Sequence, residues 1–269
     1  MRWHGSESFT LIELMAATAV LSSVLLLMVG MQDQMSRAWN NANRRTETGR
    51  EARAALRMMA TDLAALKTRR PTSGPVMNMV AGNVTNGPIP FVYYAGQGTA
   101  PMSIPGRLIS NSFLFGVVAK ANGELNLIGY YVARRAVTNL NGLVQTNAHL
   151  MRYRRDAATA VSALSNYFGS TNSPALLFPG VNPLTDEILA YNVAALSILA
   201  MGQGVRSNGL NFTLPEVTNQ GCRFQVTLHL YPEEVAQRLS ASNWSDNINL
   251  TKFSRSYEFR QRPLTRPAE

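Results

Sequence analysis

Leu14 to Gln32 is a run of 19 residues without a formal charge, and the residue immediately before it is a single carboxylate, Glu13. A run of about 18 or more such residues meets the length of a membrane-spanning helix. The acid at its edge is the stronger constraint. By insertion scales a carboxylate costs roughly 2.5 to 3.5 kcal/mol at the bilayer centre and less near the interface, so it calls for a partner. A monomeric anchor supplies none.

No proline precedes Pro71, so residues 9–70 read as one nearly continuous helix that changes character along its length. Residues 9–31 are apolar on nearly every side. In 32–70, Met35, Trp39, Ala42, Gly49, Ala52, Leu56, Met59, Leu63 and Leu66 recur at steps of three, four or seven and form one stripe. Arg44, Arg50, Arg53, Arg57 and Lys67 fall largely outside it. Such a stripe faces a core more often than a ligand. Trp39, Leu56, Met59, Leu63 and Leu66 are therefore expected to pack along the seam with a globular head. A two-stranded coiled coil is disfavoured, because the stripe is rich in Ala and Gly and lacks β-branched residues.

Residues 71–106 carry Pro71, Pro75, Pro88, Pro90, Pro101 and Pro105 among Gly and Asn, and read as long loops around one short strand, Phe91 to Ala95. Beyond them strand patterns dominate. Ser112 to Lys120 and Glu124 to Arg135 are joined by the hairpin-like Ala121-Asn122-Gly123, and Leu143 to Arg154 forms a third strand. In Cys222 to Tyr231, Cys222, Phe224, Val226, Leu228 and Leu230 alternate with Arg223, Gln225, Thr227, His229 and Tyr231, which predicts one buried and one wet face. Cys222 is then a small core residue rather than a reactive thiol. Short helices are expected at Ala157 to Tyr167, Leu184 to Ala190 and Pro232 to Leu239. A long helix followed by strand-rich sequence defines an α+β chain, with the N-terminal membrane-spanning helix packed on a mainly antiparallel β-sheet head.

The chemistry-bearing residues are sparse. A single cysteine excludes an intramolecular disulfide and a multi-cysteine metal site. His4, His149 and His229 have no second His or Cys at metal-ligand spacing, so no metal and no cofactor is expected. No GxSxG, P-loop or dinucleotide fingerprint occurs. The acid pairs Asp186-Glu187 and Glu233-Glu234 read as surface charge near helix starts rather than as acid–base machinery, and no DxDxDG-like loop marks a calcium site. No catalytic residue is assigned, and the chain is not expected to be an enzyme. The net charge of +9 comes from 22 Arg and 3 Lys against 16 acids, spread along the whole chain. Without a dense basic run interleaved with aromatics, a solvated basic face is preferred over a nucleic-acid site.

Phe9, Thr10, Leu11, Ile12, Glu13 and Leu14 resemble the start of type IV pilins and type II secretion pseudopilins. The resemblance implies a leader, 1–8, removed by a prepilin peptidase between Ser8 and Phe9, with Phe9 methylated afterwards. Ser8 stands where the family usually has Gly. It also implies that Glu13 pairs with the N-terminal amine of a neighbouring subunit, so that assembly and neutralisation of a poorly screened charge are one event. The implied organisation is a leader at 1–8, a membrane span at 9–31, an amphipathic stalk at 32–70, a Pro/Gly-rich region at 71–106 and a β-rich head at 107–269. The head is loosely similar to the J-type minor pseudopilin, through Thr61-Asp62-Leu63, Ile128 to Val132 and Leu150 to Arg154, and also to pilin-like proteins of Verru_Chthon cassettes. By resemblance the partners are other pilin-like subunits, the inner membrane, and indirectly an assembly platform and ATPase, with the head in the periplasm or outside. Two alternatives stand beside this reading: a minor pilin of a DNA-uptake or adhesion pilus, and a membrane-tethered enzyme or binding domain.

Overall fold

The computed structural model describes residues 10–66, 92–94, 96, 100, 102–108, 110–120, 124–138, 142, 144–169, 174–201, 223–239, 243–244 and 246–260. Ser8, Phe9, Cys222 and most of the proline-rich stretch lie outside the described residues. The chain divides into two compact units, Met1–Glu47 and Thr48–Glu269.

In the first unit the described residues belong to helix α1 (Leu11–Ala64). Its large apolar side chains from Leu11 to Met31 are exposed. Its hydroxyls turn back onto the helix: Thr18 donates to the Met15 carbonyl at 3.0 Å, Ser22 to Thr18 at 2.8 Å and Ser23 to Ala19 at 2.9 Å. With each proton used inside the helix, the hydroxyls ask nothing of a hydrocarbon surround. Met35 and Trp39 are 71% and 75% exposed, so the buried part of the predicted stripe begins at Gly49.

The second unit is built on two antiparallel sheets. The first takes β1 (Val92–Tyr94), β2 (Phe113–Ala119), β3 (Leu125–Thr138), β4 (Val144–Arg155) and β5 (Glu187–Ala190) in that order. The second takes β6 (Val193–Met201), β7 (Arg223–Leu230) and β8 (Arg255–Arg260). Helices α2 (Ala157–Gly169) and α3 (Pro174–Leu177) follow β4, while α4 (Glu233–Ala236) and α5 (Asn247–Phe253) lie between β7 and β8.

β3 is buried along its first nine residues with no alternation, because both its faces are covered. One face, with Ile128, Tyr130 and Val132, shares a core with Ala52, Ala55, Leu56, Met59, Leu63 and Leu66 from α1 and its end, and with Leu196, Phe224, Val226 and Leu228 of the second sheet. The other face, with Leu127, Tyr131 and Ala133, shares a core with Ala160, Leu164 and Phe178. The α1 residues sit three or four apart and form the narrow apolar stripe of a helix lying on a sheet. Leu66 then leaves the helix and pairs with Val118, which ends α1 at Ala64 rather than at Arg70.

Two further expectations require correction. Leu184 to Ala190 is not a helix: Glu187 to Ala190 is β5, with Glu187 paired to Arg152 and Ala190 to Leu150. The helix-forming composition of this segment yields to the free edge of β4 and to the anchoring of Asp186, an instance of tertiary context overriding propensity. Tyr231 is not on a wet face but 1% exposed. β7 stops at Leu230, so the period of two ends there. The Tyr231 hydroxyl donates to the Trp244 carbonyl at 2.8 Å, its ring meets Trp244 edge-on, and burial raises its pKa to about 12. The alternation itself holds from Phe224 to Leu230. β6 and α5 had no counterpart in the sequence pattern.

Candidate functional site

Glu13 is exposed and lies in the first turn of α1. Its Oε2 accepts from the Thr10 backbone N–H at 2.9 Å and from the Thr10 hydroxyl at 2.8 Å. Thr10 and Glu13 thus share the spacing of a capping box, in which the acid three residues into the helix satisfies the amide before it. The expectation that a monomer leaves this acid without any partner is corrected: Thr10 hydrogen-bonds it. These bonds bring no positive charge.

Leu56, Met59, Leu63 and Leu66 are buried in the core below β3, whereas Trp39 is exposed. A polar clamp that the sequence did not reveal holds the end of α1 on the sheet. Arg152 on β4 reaches the Asp62 Oδ2 with Nη2 at 2.8 Å and Nε at 3.2 Å, and extends Nη1 to Glu187 at 3.4 Å. Tyr130 on β3 donates to the same Asp62 oxygen. Burial, with the Asp62 charge beside it, pushes the Tyr130 phenol far up, so it remains a donor. Register explains the meeting: Tyr130 and Arg152 are paired across β3 and β4 and project onto the α1 side. Beside the first residues of the buried stripe, Glu51 accepts from the Tyr191 amide.

On the opposite face Asp186 is 3% exposed and accepts from the Tyr131 hydroxyl at 2.7 Å, Arg155 Nη2 at 3.0 Å and the Asn182 amide at 3.1 Å. Its oxygens are occupied by structural donors. Asp186 therefore anchors a loop, which corrects the reading of this acid as surface charge.

His149 on β4 is 2% exposed, and neither ring nitrogen has a hydrogen-bond partner among the described residues. Burial lowers its pKa to about 4; the Arg135 backbone opposes this without normal hydrogen-bond geometry, and the Arg135 charge reinforces it. A histidine held neutral in the fold contributes stability that is present above its unfolded pKa of about 6.5 and is lost as pH falls towards 4. Replacing His149 with Leu should flatten the decline of unfolding free energy between those pH values. An unchanged decline in urea titrations would refute the assignment.

His229, half-buried on β7, lines a recess of about 370 Å³ with Ala195, Leu250, Thr251, Ser254 and Ser256. Its Nδ1 is 3.5 Å from the Ser254 oxygen. That hydroxyl donates to the Leu250 carbonyl within α5, so its proton is committed to the backbone and the pair does not form an activated nucleophile. Among the described residues no group of three or more His, Cys, Asp or Glu is placed to hold a metal.

The class that fold and site define is an α+β protein of helix and antiparallel sheets, whose N-terminal helix is long and apolar enough to cross a membrane. Its most apolar 18-residue window has a mean hydropathy of 2.2 and is 0% buried. Comparison with protein-family models, curated proteins and solved structures returned no match.

Proposed function

We propose that this protein is a structural subunit of a filament of the pilin-like kind, a type II secretion pseudopilus or a related fibre, in which its role is packing rather than turnover. The observation that supports this most directly is the pairing of opposites in one helix. Its first part is apolar and unburied except for one carboxylate, while residues 52–63 carry a stripe buried on an antiparallel sheet. A simple tether needs hydrocarbon only. An acid retained at the edge of the span, with no cation among its hydrogen-bond partners in the described residues, is better accounted for by a partner that arrives on assembly. On this reading Phe9 is the processed residue, Glu13 the assembly contact, and the protein resides in the inner membrane until it enters the fibre.

The test is N-terminal mass spectrometry of native membrane extracts, together with Glu13→Ala. A chain beginning at methylated Phe9, and a Glu13→Ala protein that inserts but is lost from sheared filaments, are the expected results. The capping bond from Thr10 to Glu13 favours one competitor, a membrane-tethered domain in which the acid merely caps the helix. In that case the intact leader is recovered and the substitution leaves every property of the sheet-bearing unit unchanged.

A further inference from the structure

On the second unit, α1 turns one face inward and leaves Arg50, Arg53 and Arg57 exposed on the other. Two acids of the same helix are engaged elsewhere: Glu51 on the Tyr191 amide and Asp62 on Arg152 and Tyr130. Among the described residues the three guanidiniums form no hydrogen bond or ion pair. Like charges three and four residues apart on a helix repel, so the row is a small standing cost to the isolated protein.

A second observation singles out Arg53. Gly49 is buried, and a β-carbon built there would lie 3.4 Å from the Tyr257 hydroxyl and 3.5 Å from Arg53 Nη2. A guanidinium fork and a phenolic hydroxyl thus converge over a residue with no side chain, between α1 and β8. The Tyr257 hydroxyl, like Arg53, has no hydrogen-bond partner among the described residues. A fork donor beside a hydroxyl donor is the arrangement that recognises a carboxylate.

We infer that Arg53 and Tyr257 clamp a carboxylate of a different, acidic polypeptide, with Arg50 and Arg57 reading further acids spaced about one turn apart along a partner helix. A second copy of this chain is the poorer occupant. With a net charge of +9 it repels itself, and several of its acids are already engaged: Glu124 on Lys120, Asp156 on Thr159, Glu187 on Arg152 and Glu258 on Gln225. In a filament the partner would be a sister subunit, an identification that rests on the function proposed above. The clamp itself lies within the sheet-bearing unit and does not.

The test uses the purified full chain in neutral detergent and two labelled helical peptides, one with three Glu spaced one per turn along a face and one with Gln in their place. The Glu peptide should bind about tenfold more tightly by fluorescence anisotropy and weaken as salt rises. Arg53→Glu with Arg57→Glu should abolish that preference. Tyr257→Phe should reduce it, and Arg53→Lys, which keeps the charge but loses the fork, should not restore it. An unfolding midpoint within a few degrees of wild type checks each variant, with Arg53→Gln as the milder replacement. Equal binding of the two peptides, binding of phosphatidylglycerol vesicles but not of the Glu peptide, or self-association that disappears with the Arg substitutions would each overturn the inference. None of these outcomes depends on whether Phe9 is processed, so failure here is separable from failure of the filament reading.

Discussion

Arg152→Ala should cost about 3 to 5 kcal/mol of unfolding free energy, the range for breaking a buried ion pair from one side. The Arg152 and Asp62 side chains are only 11% and 15% exposed, and the guanidinium gives Asp62 two hydrogen bonds. Removing it leaves a carboxylate under the sheet with Tyr130 as its remaining donor, and leaves Glu187 without its cation. Because Asp62 lies near the end of α1, the loss should be local before it is global. Hydrogen exchange in residues 52–66 should accelerate more than in β3. The double variant Asp62→Leu with Arg152→Met should be less damaging than either charge deletion alone, because no ion is then stranded. A loss below about 1 kcal/mol for Arg152→Ala, the level of a surface pair, would show that the clamp does not seat the helix.

Gly129→Ala should be strongly disruptive to the sheet. Gly129 and Phe115 are directly paired across β2 and β3, and the Phe115 ring lies over the glycine. An added β-carbon would stand 2.0 Å from Phe115 Cδ1 and 2.3 Å from Cε1. The ring has nowhere easy to go. It stacks on Tyr131 with centroids 5.8 Å apart, meets Tyr153 edge-on at 5.6 Å and touches Phe178 at 5.3 Å. Overpacking of this kind costs about 1 to 3 kcal/mol, and here each escape route also breaks aromatic contacts worth roughly 0.5 to 1.5 kcal/mol apiece. A fall of several degrees in Tm is expected. Phe115→Leu placed in the Gly129→Ala background should recover part of the loss, because a smaller side chain vacates the space above the new methyl. Two substitutions that simply add would mean that the ring and the glycine do not share that space.

The readings that held are those carried by short-range periodicity. The apolar span, the stripe through Ala52, Leu56, Met59 and Leu63, and the alternation from Phe224 to Leu230 all follow from local pattern, and the structure places the corresponding helix and strand there. The readings that failed depend on a neighbour. Leu184 to Ala190 has good helix composition, yet β4 takes its last four residues as a strand. β6 escaped notice because Ala195 and Leu199 on its outer side are as apolar as Ala194 and Ile198 on its inner side, which erases the period of two. Glu13 is legible as an acid at the edge of a span, and its bond to Thr10 has a local signal too, the three-residue spacing of a capping box.

Local composition alone determined that this chain carries a helix fit for a membrane, that an acid interrupts its apolar start, and that antiparallel strands follow, because hydropathy and period act over a few residues. Only the tertiary structure decided that Asp62, Tyr130 and Arg152 form one clamp, that Asp186 anchors a loop, and that Arg53 and Tyr257 converge over Gly49. Those groups are far apart in sequence, and strand register and helix docking bring them together. A single chain read linearly carries no term for that distance.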